Sequence, residues 1–305
     1  MKKVLIIANP GSGKGKALQY AEKLQDMLTQ TYQVDIQILE TEKEGDAKKW
    51  AQKYHSDTYD TIFCLGGDGT VNEVVSGLME NDQPPHFAFI PLGTVNDLAR
   101  SVGLSLNPDQ AIEQFQNIRL ETIDIAKANQ SYFVNILALG SIPEAVLKTE
   151  SEVKNKIGAL AYFIDGLKAF IGDKPLDLLI ETPTETYQVT SQLILVTLTS
   201  SVAGLEKLLP QAHLGDGQAR LFAFKQSLAL SSIQTLIEEQ GLPDQSLDTD
   251  HLLSLIGKEF KISLADESSR QKHLANIDGD KGPSLPLDIK VFPQALKLWV
   301  PCERD

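Results

Sequence analysis

The sequence predicts a two-domain chain: an N-terminal three-layer α/β domain with a parallel sheet, then a C-terminal antiparallel β-sandwich domain. Three observations predict it. Up to residue 125, short continuously apolar runs alternate with helix-period segments, and strands too apolar to face water on either side need helices on both faces. After Asp124, strand-like runs follow one another with turn or loop signals between most of them. A length of 305 residues also suits two domains of ordinary size. The expected division is 1–125 and 126–288, with 289–305 a candidate to return to the first domain.

In order, Val4–Ala8 reads as a buried strand and Gly11-Ser12-Gly13-Lys14-Gly15 as a loop. Ala17, Tyr20, Ala21, Leu24 and Leu28 then mark one face of a helix. Val34–Leu39 alternates as a strand and Asp46–Tyr54 reads as a helix. A strand at Thr61–Leu65, a helix from Thr70 and a strand at Phe87–Ile90 follow. In the second half, strand-like runs stand at Tyr132–Leu137, Leu176–Glu181, Gln192–Thr199, Ala219–Phe224 and Phe260–Leu264. Two helices, Ile157–Phe170 and Leu228–Glu239, interrupt them, and a last run, Ala295–Val300, returns to one of the domains.

Composition narrows the function classes. A net charge of −13 argues against nucleic acid, whose backbone demands basic surface. It equally argues against strong attraction of the whole chain to anionic membranes. Residues 148–174 are less acidic than the rest and read as a solvated helix surface. The two cysteines, Cys64 and Cys302, lie far apart and offer neither a disulfide framework nor zinc spacing. The run after Met1-Lys2-Lys3 is too short for a signal peptide, and no stretch has the length of a membrane span. The expectation is a soluble, cytoplasmic protein.

Leu65-Gly66-Gly67-Asp68-Gly69-Thr70-Val71-Asn72-Glu73 carries the chemistry. A strand running into glycines and then a helix start makes an anion site: the backbone comes close, and the free N–H groups and helix dipole favour a phosphate. Asp68 cannot hold a bare phosphate, so it points to a magnesium ion or a nucleotide hydroxyl nearby. Gly11–Gly15 is not a Walker loop, because Gly15 follows Gly13-Lys14 where a serine or threonine is needed. As a dinucleotide fingerprint it lacks a glycine at Lys16, although Glu40 mimics the ribose-binding acid. Alone it would be a flexible turn; beside a second glycine cluster it reads as part of one site. Pro91-Leu92-Gly93-Thr94-Val95-Asn96-Asp97 ends a third strand with residues suited to cap a helix.

At these residues the chain resembles the soluble diacylglycerol kinase catalytic-domain superfamily, which also holds sphingosine kinases and is related to NAD kinases. The ordered pattern is Asn9-Pro10-x-Ser12-Gly13, then Gly66-Gly67-Asp68-Gly69-Thr70-x-Asn72-Glu73-Val74, then Pro91-Leu92-Gly93-Thr94-x-Asn96-Asp97. It continues through Tyr132–Ile136, Ser201–Leu208, Leu214-Gly215-Asp216-Gly217 and Asn276-Ile277-Asp278-Gly279-Asp280. The likeness is greatest to bacterial diacylglycerol kinases. It implies ATP in a cleft between the two domains, contacted by Asn9, Pro10, Gly11, Ser12, Gly13, Thr41, Gly66, Gly67, Asp68, Gly69, Thr70, Asn72, Glu73, Thr94, Asn96 and Asp97. It also implies a structural magnesium held by the Asp216 carboxylate and two backbone carbonyls, at positions that are His213 and Gln218 here; an ordinary turn is the alternative.

The resemblance further implies a general base. The family has Asp-Gly-Glu where this chain has Asp278-Gly279-Asp280, and its last acid takes the proton of the attacking hydroxyl. Residues two apart on an extended strand point the same way, so both carboxylates are expected to face the site. Locally, Asp278-Gly279 also reads as a turn. Asp280 reaches about 1.5 Å less than glutamate. A second departure is at 139–144, where many relatives are glycine-rich with an aspartate and this chain has Ala138 and Ile142. The function implied is an ATP-dependent lipid kinase with Mg²⁺, acting on diacylglycerol or a related lipid alcohol through peripheral contact with the inner membrane surface. A kinase of a soluble acceptor such as NAD and an ATP-binding regulatory protein without catalysis are the alternatives. No nucleic acid partner is expected, and a homodimer is allowed but not required.

Overall fold

The computed structural model describes residues 1–140, 175–199, 214–225, 242–266 and 273–302. The chain forms two compact units. One is Met1–Ile125 with Tyr132–Val134 and the C-terminal stretch from Pro293; the other is Ala126–Ser131 with Asn135–Phe292.

The first unit is α/β. Strands β1 (Lys3–Ala8), β2 (Asp35–Glu40), β3 (Thr61–Gly66) and β4 (His86–Pro91) run parallel in the order β4-β3-β1-β2. The far end of the C-terminal strand Leu287–Pro301 joins beside β4, Leu298 opposite Phe87. β1 and β3 are buried nearly end to end, as continuous apolar strands must be when helices cover both faces. β2 is the edge strand, and its burial alternates.

Helix α1 (Ala17–Tyr32) buries Ala17, Ala21, Leu24 and Leu28 along one stripe and ends at Gln33 in the left-handed region. Helices α2 (Asp46–Lys53) and α3 (Asp68–Met79) pack at a near-backbone contact: a Cβ on Gly77 would lie 2.3 Å from the Lys48 carbonyl oxygen. Asn81 donates to the Ala51 and Tyr54 carbonyls (3.0 and 2.9 Å) and so satisfies the open end of α2.

Two elements differ from expectation. α3 begins at Asp68 rather than Thr70, because Gly67 is its extended N-cap and its carbonyl already accepts the first intrahelical bond from Val71. After the short α4 (Asp97–Ser101), an unforeseen helix, α5 (Pro108–Gln114), starts where the Asn107 side chain accepts from the amides of Asp109 and Gln110. Pro108 stands at its first position, where no amide is needed.

Strand β5 (Ile118–Ala128) leads out of this unit and pairs with β6 (Ser131–Phe133). The second unit is built from antiparallel strands: β7 (Ile136–Gly140), β8 (Leu176–Glu181), β9 (Thr186–Thr197), β10 (Ala219–Lys225), β11 (Leu247–Asp248), β12 (Leu252–Gly257), β13 (Glu259–Leu264), β14 (Leu274–Ile277), β15 (Asp280–Ser284) and the start of β16 (Leu287–Pro301). The long β9 is its axis: its first half pairs with β8, its second half with β7 and β10. β8 and the start of β16 alternate buried and exposed, while β10 is buried almost throughout. The predicted run Tyr132–Leu137 is broken in two, because the amides of Asn135 and Ile136 donate to the Asp278 side chain. The predicted helices at Ile157–Phe170 and Leu228–Glu239 lie outside the described residues.

Candidate active site

In the first unit, the loops that leave β1, β3 and β4 converge at the carboxyl ends of these parallel strands, the place where such sheets bind ligands. Backbone bonds tie them at the base: Asn9 N–H to Leu65 O (3.0 Å), Leu92 N–H to Gly66 O (2.8 Å) and Gly13 N–H to Leu92 O (3.2 Å). Thr41 joins from the end of β2, its amide on Ala8 O (2.9 Å). Asn9 is the clasp of the first loop. Its Oδ1 accepts from Gly11 N–H (3.1 Å), and its Nδ2 donates to Thr70 Oγ1 on α3 (3.1 Å). Pro10, Ser12 and Gly13 are partly exposed and Gly11 is exposed. Gly13, Lys14 and Gly15 all take positive φ, forming a short left-handed turn before α1.

The second and third loops are joined as closely. Asn96 adopts a left-handed backbone, accepts from Gly93 N–H through Oδ1 and donates through Nδ2 to Gly93 O, both at 3.0 Å. Its own N–H donates to Asp68 Oδ2 (3.1 Å). Burial pushes the Asp68 carboxyl above its ordinary range, against the opposing pull of the Asn96 amide. Asp68 thus holds the third loop to the start of α3. Asp97 is buried behind it at the head of α4. Asn72 and Glu73 lie further along α3. Asn72 donates to the Tyr132 carbonyl (3.2 Å), and the charge of Glu73, after burial, helps push the Cys64 thiol up. What remains open at the strand ends is a backbone surface of Gly11, Gly67, Gly69, Gly93 and Thr94. Such a surface can take a polyphosphate through N–H groups and a helix N-terminus.

In the second unit, Asp278 and Asp280 do not share an extended strand, which corrects the geometry expected for them. Asp278-Gly279 is the two-residue turn of the β14–β15 hairpin, with φ of 49° and 95°, and Ile277 pairs with Asp280 across it. Asp-Gly is a strong signal for this turn, so local chemistry prevailed over the extended reading. Asp278 is buried, its Oδ1 accepting from the amides of Asn135 (3.0 Å) and Ile136 (2.9 Å). Asp280 is exposed at the first position of β15. Asn276, which sequence reasoning quoted only as part of the motif, orders the turn by accepting from Gly279 N–H (3.0 Å).

Of the residues the resemblance assigns to a structural magnesium, His213 lies outside the described residues. Asp216 and Gln218 are engaged otherwise. Asp216 Oδ1 accepts from Gln218 N–H (2.9 Å) and Oδ2 pairs with Arg220 Nη2 (2.6 Å). Arg220, the one charge in the apolar run Ala219–Phe224, also pairs through Nε with Asp244 (2.7 Å). Burial opposes its charge, but the bonds to Asp216 and Asp244 leave its pKa raised. Sequence reasoning missed Arg220, although a lone arginine in an apolar strand demands a buried partner. Among the described residues the donors present, with Asp216 already paired to a buried guanidinium, do not fit a divalent cation. Among the described residues no cluster of three or more His, Cys, Asp or Glu side chains is arranged to hold a metal. No helix among them is long and apolar enough to cross a membrane.

A parallel-sheet unit with glycine loops at its strand ends, followed by an antiparallel strand-rich unit, is the architecture of a diacylglycerol kinase-like protein. Residues 3–128 match the diacylglycerol kinase catalytic domain. The chain is 34% identical to a diacylglycerol kinase of Staphylococcus saprophyticus over 98% of its own length and 96% of the relative's. It is 32% identical to a diacylglycerol kinase of Staphylococcus aureus, covering 98% of this chain and 93% of that one. A crystal structure of a diacylglycerol kinase from Bacillus anthracis shares the fold, with a TM-score of 0.75 at 22% identity over 97% of this chain and 96% of that chain. The chain belongs to the diacylglycerol kinase family of lipid kinases.

Proposed function

We propose that this kinase transfers the γ-phosphate of ATP to the hydroxyl of diacylglycerol or a related lipid alcohol at a membrane surface. The observation that carries the reading is the set of three cross-bonded loops at the ends of β1, β3 and β4, with Gly67 and Gly93 at the backbone crossing of the second and third. Phosphoryl transfer asks a protein chiefly for positioning and for neutralisation of charge. Asn9, Asp68 and Asn96 hold the loops so that backbone N–H groups face the phosphates. Magnesium, when carried in with the nucleotide, supplies positive charge to the transferring oxygens. Asp280 accepts the proton of the lipid hydroxyl as its oxygen attacks phosphorus. Asp278 supports that role from beneath, by fixing the turn from which Asp280 projects.

The test is an acceptor screen with γ-labelled ATP against detergent-dispersed diacylglycerol, other lipid alcohols and NAD. Label in a lipid phosphate, lost in Asp280→Asn, is the expected result. Label in NAD alone, or in no acceptor while ATP still binds, overturns the reading. Full turnover in Asp280→Asn removes the assigned base.

A further inference from the structure

We propose that an internal cation, the Arg220 guanidinium, stands in the second unit where the family resemblance would place a divalent metal. Two of the three oxygens implied as metal ligands already face this group. Asp216 Oδ2 lies 2.6 Å from Nη2, and the Gln218 carbonyl oxygen lies 3.5 Å from Nη1. The remaining arm, Nε, donates to Asp244 Oδ1 at 2.7 Å.

Magnesium needs oxygen ligands at about 2.1 Å in near-octahedral array. An ion seated on Asp216 at that distance would stand within a few ångströms of the guanidinium. Arg220 is only 4% exposed, so little water screens the repulsion between the two cations. The planar fork also reaches a second carboxylate, and it stays protonated at any pH the protein meets. The turn at Asp216-Gly217 and the chain at Asp244 are therefore pinned to the start of β10 by one side chain. No metal is required for the purpose.

The experiment is thermal unfolding of the full-length chain without nucleotide, in a chelator and then in millimolar Mg²⁺. The wild-type midpoint should be the same in both. Arg220→Ala removes the cation and leaves Asp216 and Asp244 without it, so its midpoint should be lower in chelator and rise on adding Mg²⁺. Asp216→Asn combined with Arg220→Ala should abolish that rise. Arg220→Lys, which keeps a charge but loses the fork, should melt below wild type and ignore Mg²⁺.

A wild-type midpoint that falls in chelator and recovers with Mg²⁺ overturns the proposal. So does an Arg220→Ala chain indifferent to Mg²⁺. If Arg220→Ala does not fold, the wild-type and Arg220→Lys responses decide the matter: Mg²⁺ stabilisation of either counts against it, and indifference in both supports it. Because no nucleotide or acceptor is present, the outcome is independent of the kinase assay.

Discussion

Gly67 and Gly93 pass with almost no space between them: a Cβ built on Gly93 would lie 2.8 Å from the Gly67 Cα and 2.7 Å from Asn96 Oδ1. A Cβ on Gly67 would lie 3.2 Å from the Gly93 Cα. The second and third loops therefore lie this close because Gly93, and to a lesser degree Gly67, lacks a side chain. The crossing is at backbone, which cannot swing aside as a side chain would.

A graded loss follows. Gly93→Ala must move the third loop or break the Asn96–Gly93 closure, whereas Gly67→Ala asks for a shift of a few tenths of an ångström. A displacement near 1 Å at a phosphoryl-transfer site costs on the order of a hundredfold in rate. Gly93→Ala should lose that much turnover, and Gly67→Ala clearly less. Steady-state kinetics with ATP as the varied substrate checks the order; equal rates for the two variants would refute the crossing as the cause.

The clasp from Asn9 to Thr70 gives a second, sharper test. Asn9→Ala removes both the bond to Thr70 Oγ1 and the acceptor for Gly11 N–H, so ATP binding should weaken by roughly tenfold, the worth of one or two hydrogen bonds. Thr70→Val removes only the first. The double variant should then be little worse than Asn9→Ala alone, because both changes cut the same bond. Calorimetric titration with ATP measures the cycle. Additive losses would mean the two side chains act separately.

How much of this could be read from the sequence differs by element. β1, β3 and α1 were legible because their apolar patterns are unbroken: four consecutive buried residues in Val4–Ile7, and the stripe Ala17, Ala21, Leu24, Leu28. β5 was not, because Arg119, Leu120 and Glu121 at its start are exposed or partly so and hide the buried run Ile123–Ala126. α5 was overlooked although Asn107-Pro108 is a cap followed by a proline at the first helical position. The glycine loops could be named residue by residue. What the side chains of Asn9, Asp68 and Asn96 do there could not, since each bonds to a residue distant in sequence or to a backbone shaped by one. At Asp278-Gly279 the turn signal was visible, and the motif around it argued for the wrong local shape.

His86 sets an expectation for pH. Its ring packs edge-on against Trp299 with centroids 5.6 Å apart. Burial, and then the charge of Lys297, push its pKa below the ordinary 6.5, with Asp60 opposing. The folded-state value is the lower one, so the unfolded chain takes up the proton first as pH falls. The stability His86 contributes is therefore complete above the ordinary histidine value and is lost as pH drops through the folded one. His273 is shifted the same way by burial. The unfolding midpoint should fall as the buffer is taken from about pH 7 to about pH 5. His86→Gln should flatten that fall in part, leaving the share of His273. An unchanged slope in the variant would assign the dependence elsewhere.

Asp278 and Asp280 should separate stability from turnover. Asp278 Oδ1 serves two amides, those of Asn135 and Ile136, in the break between β6 and β7. Asp278→Ala leaves both without this acceptor and should cost about 2–6 kcal/mol, from roughly 1–3 kcal/mol for each donor left without a partner. Asp278→Asn keeps an acceptor oxygen and tolerates the left-handed backbone, so it should lose only the charge-assisted part of the two bonds. Asp280→Asn, exposed at the start of β15, should leave the unfolding midpoint where it is and lower lipid phosphorylation by about a hundredfold or more, the usual worth of a general base. Denaturant melts beside single-turnover rates distinguish the two roles. If Asp278→Asn proved as inactive as Asp280→Asn while just as stable, the base would be Asp278, and the turn would have been built to aim the buried acid rather than the exposed one.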